Sequence, residues 1–411
     1  MKYIVILGDG MADLPVKELG DKTPLDCAKH PNMDFIAANG ICGLAKTVPQ
    51  GMPPGSDTAN LSAMGYDPKV YYTGRSPLEA LSIGAQMGDL DIDLSLTDVT
   101  YRCNTVTLSD DENYEDCTMV DYSAGEITTE ESSQIIRDLN EQFHNEYLTL
   151  YPGISYRHCL VLKDAKDGAQ TTPPHDILDK NIRDYLPKGQ NSELLLDMMK
   201  RSREFLKDHP VNQSRIKRGL PPVSSVWFWG EGRKPNLTPF EEKYHVKGSV
   251  VSAVDLIKGI GICAGLNSID VEGATGTLHT NFEGKAQAAI DALKNGSDFV
   301  YVHLEAPDEC GHQHDIDNKV RSIELIDEKI IAPIMNAMKE AGEDFSIMVL
   351  PDHPTPLNLR THTSDPVPFA LYRSNAPQQN GVTAYNEKTA ESTGVYVDEG
   401  YQLMGMLISE S

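Results

Sequence analysis

Short, wholly apolar runs recur along this chain, and three of them stop at a carboxylate. Residues 3–7 (YIVIL) end in Gly8-Asp9-Gly10. Residues 299–304 (FVYVHL) break at Ala306-Pro307 and release Asp308, Glu309, His312, His314 and Asp315. Residues 346–350 end in Pro351-Asp352-His353. Runs without polar alternation predict strands buried on both faces of a parallel sheet. Residues 366–372 predict a fourth strand, preceded by Thr361-His362-Thr363. Between the strands the period changes to that of helices, over 254–266, 282–294 and 319–341. In the last, Val320, Ile323, Ile326, Ile330, Ile334 and Met338 make a buried stripe. The middle of the chain differs: strands at 99–106 and 156–162, helices at 129–145 and 192–207, and a loop-rich stretch between. Thr128 to Glu131 predicts a capping box. With 411 residues the chain exceeds one core. It predicts an α/β domain built from both ends, 1–97 and 241–411, with a smaller α+β domain inserted at 98–240.

Open α/β sheets place their sites at carboxyl strand ends. Singly, Asp9 reads as a turn residue, and Asp308 with His312 as a polar surface loop. Three such endings in one sheet are harder to explain as unrelated loops. Asp9, Asp308, His312, Asp352, His353 and His362 supply three carboxylates and three imidazoles, enough for two divalent cations with open positions. Ser56 follows Gly51-Met52-Pro53-Pro54-Gly55 and opens a predicted helix. It reads either as a helix N-cap or as a nucleophile beside backbone N–H groups that welcome a phosphoryl group. A serine hydroxyl needs a base or a metal to react. There is no G-x-S-x-G elbow, whereas two cations would ionise the serine and polarise a phosphoryl group.

Composition narrows the partners. The formal net charge is -25, a field that repels nucleic acid and anionic membranes. An anionic substrate would need local cations. Arg215 and Arg218 share a helical face, and with Lys217, Arg102 and Arg157 they read as a solvated basic patch or as an anion site. Seven cysteines with no C-x-x-C predict free thiols in a reducing compartment. The short apolar start and the lack of any run of membrane length predict a soluble, cytoplasmic protein.

Taken in order, ILGDGMAD, MPPGSDTANLSAMGYDP, YYTGRSPLEA, NQSRIKRGLPP, APDECGHQHD, PDH and THTSDPVPF cover nearly the whole chain. In these segments it resembles a cofactor-independent phosphoglycerate mutase of the archaeal type, in the alkaline phosphatase superfamily. The resemblance implies an alkaline-phosphatase-like mixed sheet flanked by helices, and no need for 2,3-bisphosphoglycerate. It implies that Ser56 becomes phosphoserine. Asp9, Asp352 and His353 would bind the metal that also binds the serine, and Asp308, His312 and His362 a second metal. Manganese is the expected ion, with magnesium or zinc as alternatives; carboxylate with imidazole suits manganese or zinc better than calcium. Arg215 and Arg218 correspond to substrate-binding arginines, and Arg102, Arg157 and His175 to further substrate contacts. Lys243 and Lys258 both match the family's active-site lysine, and the choice stays open. The implied chemistry is two in-line transfers, with closure of the inserted domain keeping water from the phosphoserine.

One segment departs from the family. Trp229 stands where an arginine is expected, and Glu231 adds a negative charge. Either both tryptophans are core and Arg233 substitutes, or the substrate has changed. A branch of this family is proposed to be a homoserine kinase, using ATP, and Glu231 would suit an α-ammonium group. A phosphate-ester hydrolase and a non-catalytic metal-binding protein are the remaining classes.

Overall fold

The apolar runs at both chain ends are buried strands lying side by side. The computed structural model describes residues 1–87 and 92–409. Among these the strands are β1 (Lys2–Gly8), β2 (Ile41–Ala45), β3 (Val99–Leu108), β4 (Met119–Asp121), β5 (Leu148–Tyr151), β6 (Arg157–Leu162), β7 (Ala169–Gln170), β8 (Lys188–Gly189), β9 (Ser225–Gly232), β10 (Gly248–Val251), β11 (Asn267–Ile269), β12 (Phe299–Leu304), β13 (Phe345–Leu350), β14 (Val367–Arg373) and β15 (Tyr396–Val397). Two compact units result: Met1–Tyr72 with Leu237–Ser411, and Thr73–Asn236.

The larger unit holds one sheet in the order β11-β10-β12-β1-β13-β14-β2-β15. β1 runs parallel to β12 on one side and to β13 on the other, with Tyr3 opposite both Phe299 and Ser346. The carboxyl ends of three adjacent strands therefore share one edge. β14 runs antiparallel to β13, so its start, just past His362, arrives at that same edge. Ile4, Ile6, Val300, Val302, Ile347 and Val349 pack in one core with Ile323, Ile326, Ile330 and Ile334. Those isoleucines lie on a helix that begins at Ile316, earlier than predicted, and is interrupted by a π-turn at Asp327–Ile331. Pro333 follows that turn in Ala332–Ala341. It has no N–H to give to a carbonyl one turn back, and the wider turn absorbs the mismatch.

The predicted break at Ala306-Pro307 is instead the start of a helix, Ala306–Gln313. Proline is accepted in a first turn because no intrahelical N–H is required there. Asp308 and His312 therefore lie on a helix rather than on a loop.

In the smaller unit β3 pairs antiparallel with β4, β6 and β9, and β6 with β5. Tyr101, Val106, Ile135, Ile136, Met198, Trp227 and Trp229 are buried together in its core. The helix Ser76–Met87 belongs to this unit, although the sequence placed it with the chain ends. Ser76 Oγ bonds Thr100 Oγ1 at 2.6 Å, and Ala80 and Ile83 pack with Cys159 and Val161. At the unit's entry and exit, Thr73 Oγ1 donates to the Arg233 carbonyl at 2.6 Å, and Arg233 N–H to the Thr73 carbonyl at 3.1 Å. Among the described residues no helix is long and apolar enough to cross a membrane. The seven cysteines are free thiols.

Candidate functional site

Strand ends bring the predicted carboxylates and imidazoles together in the larger unit. Asp9 follows β1. The next residue, Gly10, has φ of 61°, and a Cβ there would meet Thr355 Oγ1 at 2.5 Å and Asp308 Oδ1 at 2.6 Å. Glycine is what lets the chain turn this close to its neighbours. Asp352 and His353 follow β13, and His362 precedes β14. Asp308 and His312 are four apart on the helix Ala306–Gln313 and share a face.

The six side chains sort into two groups, Asp9–Asp352–His353 and Asp308–His312–His362, each with ligand atoms within 4.8 Å of one another. In the first, which is fully buried, His353 Nε2 lies 3.6 Å from Asp9 Oδ1 and 3.4 Å from Asp352 Oδ2. Ser56 Oγ is 3.2 Å from the same nitrogen. Gly55 occupies the N-cap of the helix Ser56–Ala63, so the serine hydroxyl is directed to His353 rather than to capping.

In the second group His312 Nε2 is 3.3 Å from Asp308 Oδ2, and His362 Nε2 is 3.4 Å from Asp308 Oδ1. The two imidazole Nε2 atoms are 2.9 Å apart. His312 Nδ1 faces the Arg360 carbonyl at 3.0 Å. A carbonyl only accepts, so Nδ1 carries a proton and Nε2 is the atom left to bind. The groups touch each other: the His353 and His362 rings lie 4.0 Å apart, and Thr355 Oγ1 bonds Asp308 while lying 3.3 Å from His353 Nδ1.

The electrostatics of the first group call for a cation. Asp9 Oδ1 is buried without a hydrogen-bond partner. Burial, then the charges of Asp352 and Asp308, push the Asp9 carboxyl well above its ordinary range. Burial also opposes ionisation of Asp308, but hydrogen bonds from His312 and His362 outweigh it and hold that carboxyl well below the usual range. The Asp308 hydrogen bond pushes the His312 imidazole up to about 9. Burial pushes the His353 imidazole down. An orphaned buried carboxylate oxygen, a second carboxylate and a neutral imidazole fit a divalent ion of hard to borderline character.

Other predicted residues are engaged elsewhere. Glu309 accepts from Gln313 at 2.5 Å, His314 Nδ1 faces the Leu357 carbonyl at 2.7 Å, and Asp315 caps the helix Ile316–Ile326. Lys243 bonds the Gly65 carbonyl and lies over the Tyr66 ring at 4.5 Å. Lys258 pairs with Asp270.

The remaining five predicted residues belong to the smaller unit. Arg215 is buried and donates to Glu131 at 2.5 Å and to the Ala124 and Pro221 carbonyls at 2.6 and 2.9 Å. Arg218 bonds the same Glu131. The predicted capping carboxylate is thus taken up by two guanidinium groups.

Arg102 lies 3.8 Å over the Trp229 ring, with Nε 2.7 Å from Glu79. His175 meets Trp229 edge-on at 5.3 Å and Tyr122 at 6.0 Å. Arg157, exposed, extends over Tyr156 at 5.6 Å. Trp229 is core, and its indole N–H donates to Asn104 Oδ1 at 2.9 Å. Glu231 accepts from the Tyr101 hydroxyl at 2.5 Å and from the Gly168 and Ala169 amides at 2.7 and 3.0 Å. Arg233 donates to the Thr97 and Ala165 carbonyls, both at 2.7 Å. Sequence reasoning missed three buried residues: Asn60 and His303, which bond Asp352 and Asp9, and Tyr301, which bonds Asn60. For Tyr301 and His303 the available signal was a polar tip at alternate positions of an apolar strand; Asn60 lies on the helix Ser56–Ala63 and carried no such signal.

Fold and site together define an α/β enzyme whose larger unit brings two adjacent groups of carboxylates and imidazoles to one sheet edge, each of which could hold a cation. The chain is 50% identical, over 99% of each sequence, to a 2,3-bisphosphoglycerate-independent phosphoglycerate mutase of Methanosarcina barkeri, and 49% identical, over 100% of each, to that of Methanothrix thermoacetophila. It belongs to the 2,3-bisphosphoglycerate-independent phosphoglycerate mutase family, as its motifs suggested; the family profile of that description matches residues 37–212. A solved Pyrococcus horikoshii protein is 30% identical, with a TM-score of 0.81, covering 100% of this chain and 99% of the other. The cofactor-independent phosphoglycerate mutase of Thermoplasma acidophilum is 26% identical, with a TM-score of 0.68, over 99% of both chains.

Proposed function

We propose that this chain interconverts 3-phosphoglycerate and 2-phosphoglycerate, without added 2,3-bisphosphoglycerate, through a phosphoserine at Ser56. The observation that carries the reading is the serine hydroxyl, held 3.2 Å from His353 at the edge of the first ligand group. Asp9, Asp352 and His353 would hold one divalent ion and Asp308, His312 and His362 a second, with manganese as the first choice and magnesium or zinc as alternatives. Bound ions of this kind lower the pKa of a neighbouring hydroxyl and neutralise charge on a transferring phosphoryl group.

Ser56 Oγ gives up its proton and attacks phosphorus in line as the bond to the substrate's 3-oxygen breaks and that oxygen takes a proton. The glycerate turns. Its 2-hydroxyl loses a proton and attacks the same phosphorus, the Oγ–P bond breaks, and Ser56 is protonated again. Protons and phosphate balance over the cycle. At the start of the helix Ser56–Ala63 the Thr58 and Ala59 amides donate to Asp57 Oδ1 and to the Gly55 carbonyl at 2.8 and 3.0 Å, so the Ser56 and Asp57 amides are the donors assigned to phosphoryl oxygens. In a chain of net charge -25 the glycerate carboxylate needs local cations. Arg102 and Arg157 are assigned to it, and His175 to the movement of protons to and from the glycerate oxygens. Arg215, buried among partners of its own unit, has a structural part. Free thiols accord with a reducing, cytoplasmic setting.

Phosphorylation of homoserine from ATP loses its main support, because Glu231 is occupied by three donors. Purified protein with manganese should convert 3-phosphoglycerate to 2-phosphoglycerate with no nucleotide present, and Ser56→Ala should not. Phosphohomoserine made from ATP without mutase turnover would overturn the proposal, as would full activity of the alanine variant. Inorganic phosphate as the sole product would mark a hydrolase.

A further inference from the structure

β12 contributes no ligand of its own, yet one of its side chains, His303, ends on a ligand of the first centre and another, Tyr301, reaches a second ligand through Asn60. Tyr301 and His303 are alternate residues and share a face of the strand; both are fully buried. His303 Nε2 lies 2.8 Å from Asp9 Oδ2, and its Nδ1 3.1 Å from Ser252 Oγ. Ser252 Oγ accepts the Val254 N–H at 3.0 Å, which leaves its own proton for Nδ1. The donors thus run from Val254 through Ser252 and His303 to the accepting Asp9 carboxylate, and every step is satisfied. Lys285, also buried, donates to the His303 carbonyl at 3.3 Å and fixes the backbone at that point.

Tyr301 builds a second line. Its hydroxyl donates to Asn60 Oδ1 at 2.7 Å, and Asn60 Nδ2 donates to Asp352 Oδ2 and to the Ser56 carbonyl, both at 2.9 Å. The other Asp352 oxygen accepts the Gly10 and His353 amides at 3.1 and 2.8 Å. Both carboxylates are therefore held against rotation, and Asp9 presents one free oxygen, the orphaned Oδ1. No comparable buried line reaches His312 or His362 among the described residues.

We propose that Tyr301 and His303 are positioning residues that set the cation affinity of the Asp9–Asp352–His353 centre, and that Tyr301, through Asn60, keeps Ser56 in register with it, while the Asp308–His312–His362 centre does not depend on them. This rests on the two-cation reading above. Partners of metal ligands are worth about 10–100-fold in metal affinity.

The test is manganese titration of chelator-stripped full-length protein by calorimetry. Wild-type protein that binds no manganese refutes the two-cation reading, and this inference with it, before any variant is made. Given two wild-type sites, His303→Leu should weaken one site by about 10–100-fold, and Tyr301→Phe, which reaches Asp352 only through Asn60, should weaken the same site by about 10-fold, the low end of that range, each leaving the other site within about threefold. His303→Gln, whose amide can still donate to Asp9, should recover most of the loss. In a His312→Ala background, which disables the second centre, Tyr301→Phe should still weaken the remaining site. The untouched site and an unchanged melting curve report a folded variant. Two unchanged sites, two sites weakened together, or glutamine no better than leucine would each overturn the assignment.

Discussion

Replacing Lys319 with methionine should loosen the loops that carry the ligands without touching a ligand. Lys319 Nζ is fully buried, 2.8 Å from Asp13 Oδ2 and 2.8 Å from the Thr355 carbonyl. Asp13 lies in the loop after β1, and Thr355 in the loop after β13. In Lys319→Met the Asp13 carboxylate stays buried without its cation, a change that costs about 3–5 kcal/mol in comparable pairs. Asp13 keeps the Leu14 amide at 2.8 Å and the Leu357 amide at 3.2 Å, which favours the lower end, about 3 kcal/mol. Methionine fills most of the vacated volume, so the cavity contribution is small.

Adding Asp13→Asn removes the stranded charge but keeps an acceptor for both amides. The double variant should recover about 2 kcal/mol of the loss, the remainder being the orphaned Thr355 carbonyl. Two units make a single global transition an unsafe assumption. Hydrogen exchange at the Leu14 and Leu357 amides, with chelator present, reads the effect locally. A Lys319→Met protein within about 0.5 kcal/mol of wild type would refute the reasoning. So would an Asp13→Asn change that adds its own cost to that of Lys319→Met instead of relieving it.

Two further outcomes are expected. Chelator-stripped protein should melt lower than protein with manganese, since free metal at about 100 times its dissociation constant stabilises by about 2.7 kcal/mol; identical melting curves would refute the two centres. Burial pushes the Glu387 carboxyl from 4.5 up to about 7. Its folded state holds the proton more tightly, so its contribution to stability is fully present below about 4.5 and is lost as pH rises through about 7. Glu387→Gln should flatten the fall in melting temperature across that window, and an unchanged profile would exclude Glu387 as its source.

The strand ends were legible because a parallel strand buried on both faces leaves an uninterrupted apolar run, and whatever polar group follows it stands out. Asp9, Asp308 and Asp352 were found this way, and His362 by its place before β14. What stayed hidden depended on contacts distant in sequence. Pro307 signals a break by itself and a helix start only once the following turn is known. Arg215 looked free for an anion because its partner, Glu131, is 84 positions away. Tyr301 and His303 passed as core residues, since an apolar run does not reveal where its polar tips point. Ser76 looked remote from β3 until its bond to Thr100 was seen.

The clasp between Thr73 and Arg233 bears on the order of folding. β1 must find β12 and β13, pairing Tyr3 with Phe299 and Ser346, across the whole of the smaller unit. Closing a flexible loop of the 160 positions between Thr73 and Arg233 costs about 4–5 kcal/mol of chain entropy, from (3/2)RT ln n. If Thr73–Asn236 folds first, that cost is met by its own core, and residues 72 and 237 then behave as near neighbours in the chain. The long-range pairing of the larger sheet becomes a short-loop problem, so a lesion in the smaller unit's core, such as one at Trp227, should slow assembly of a sheet it does not belong to.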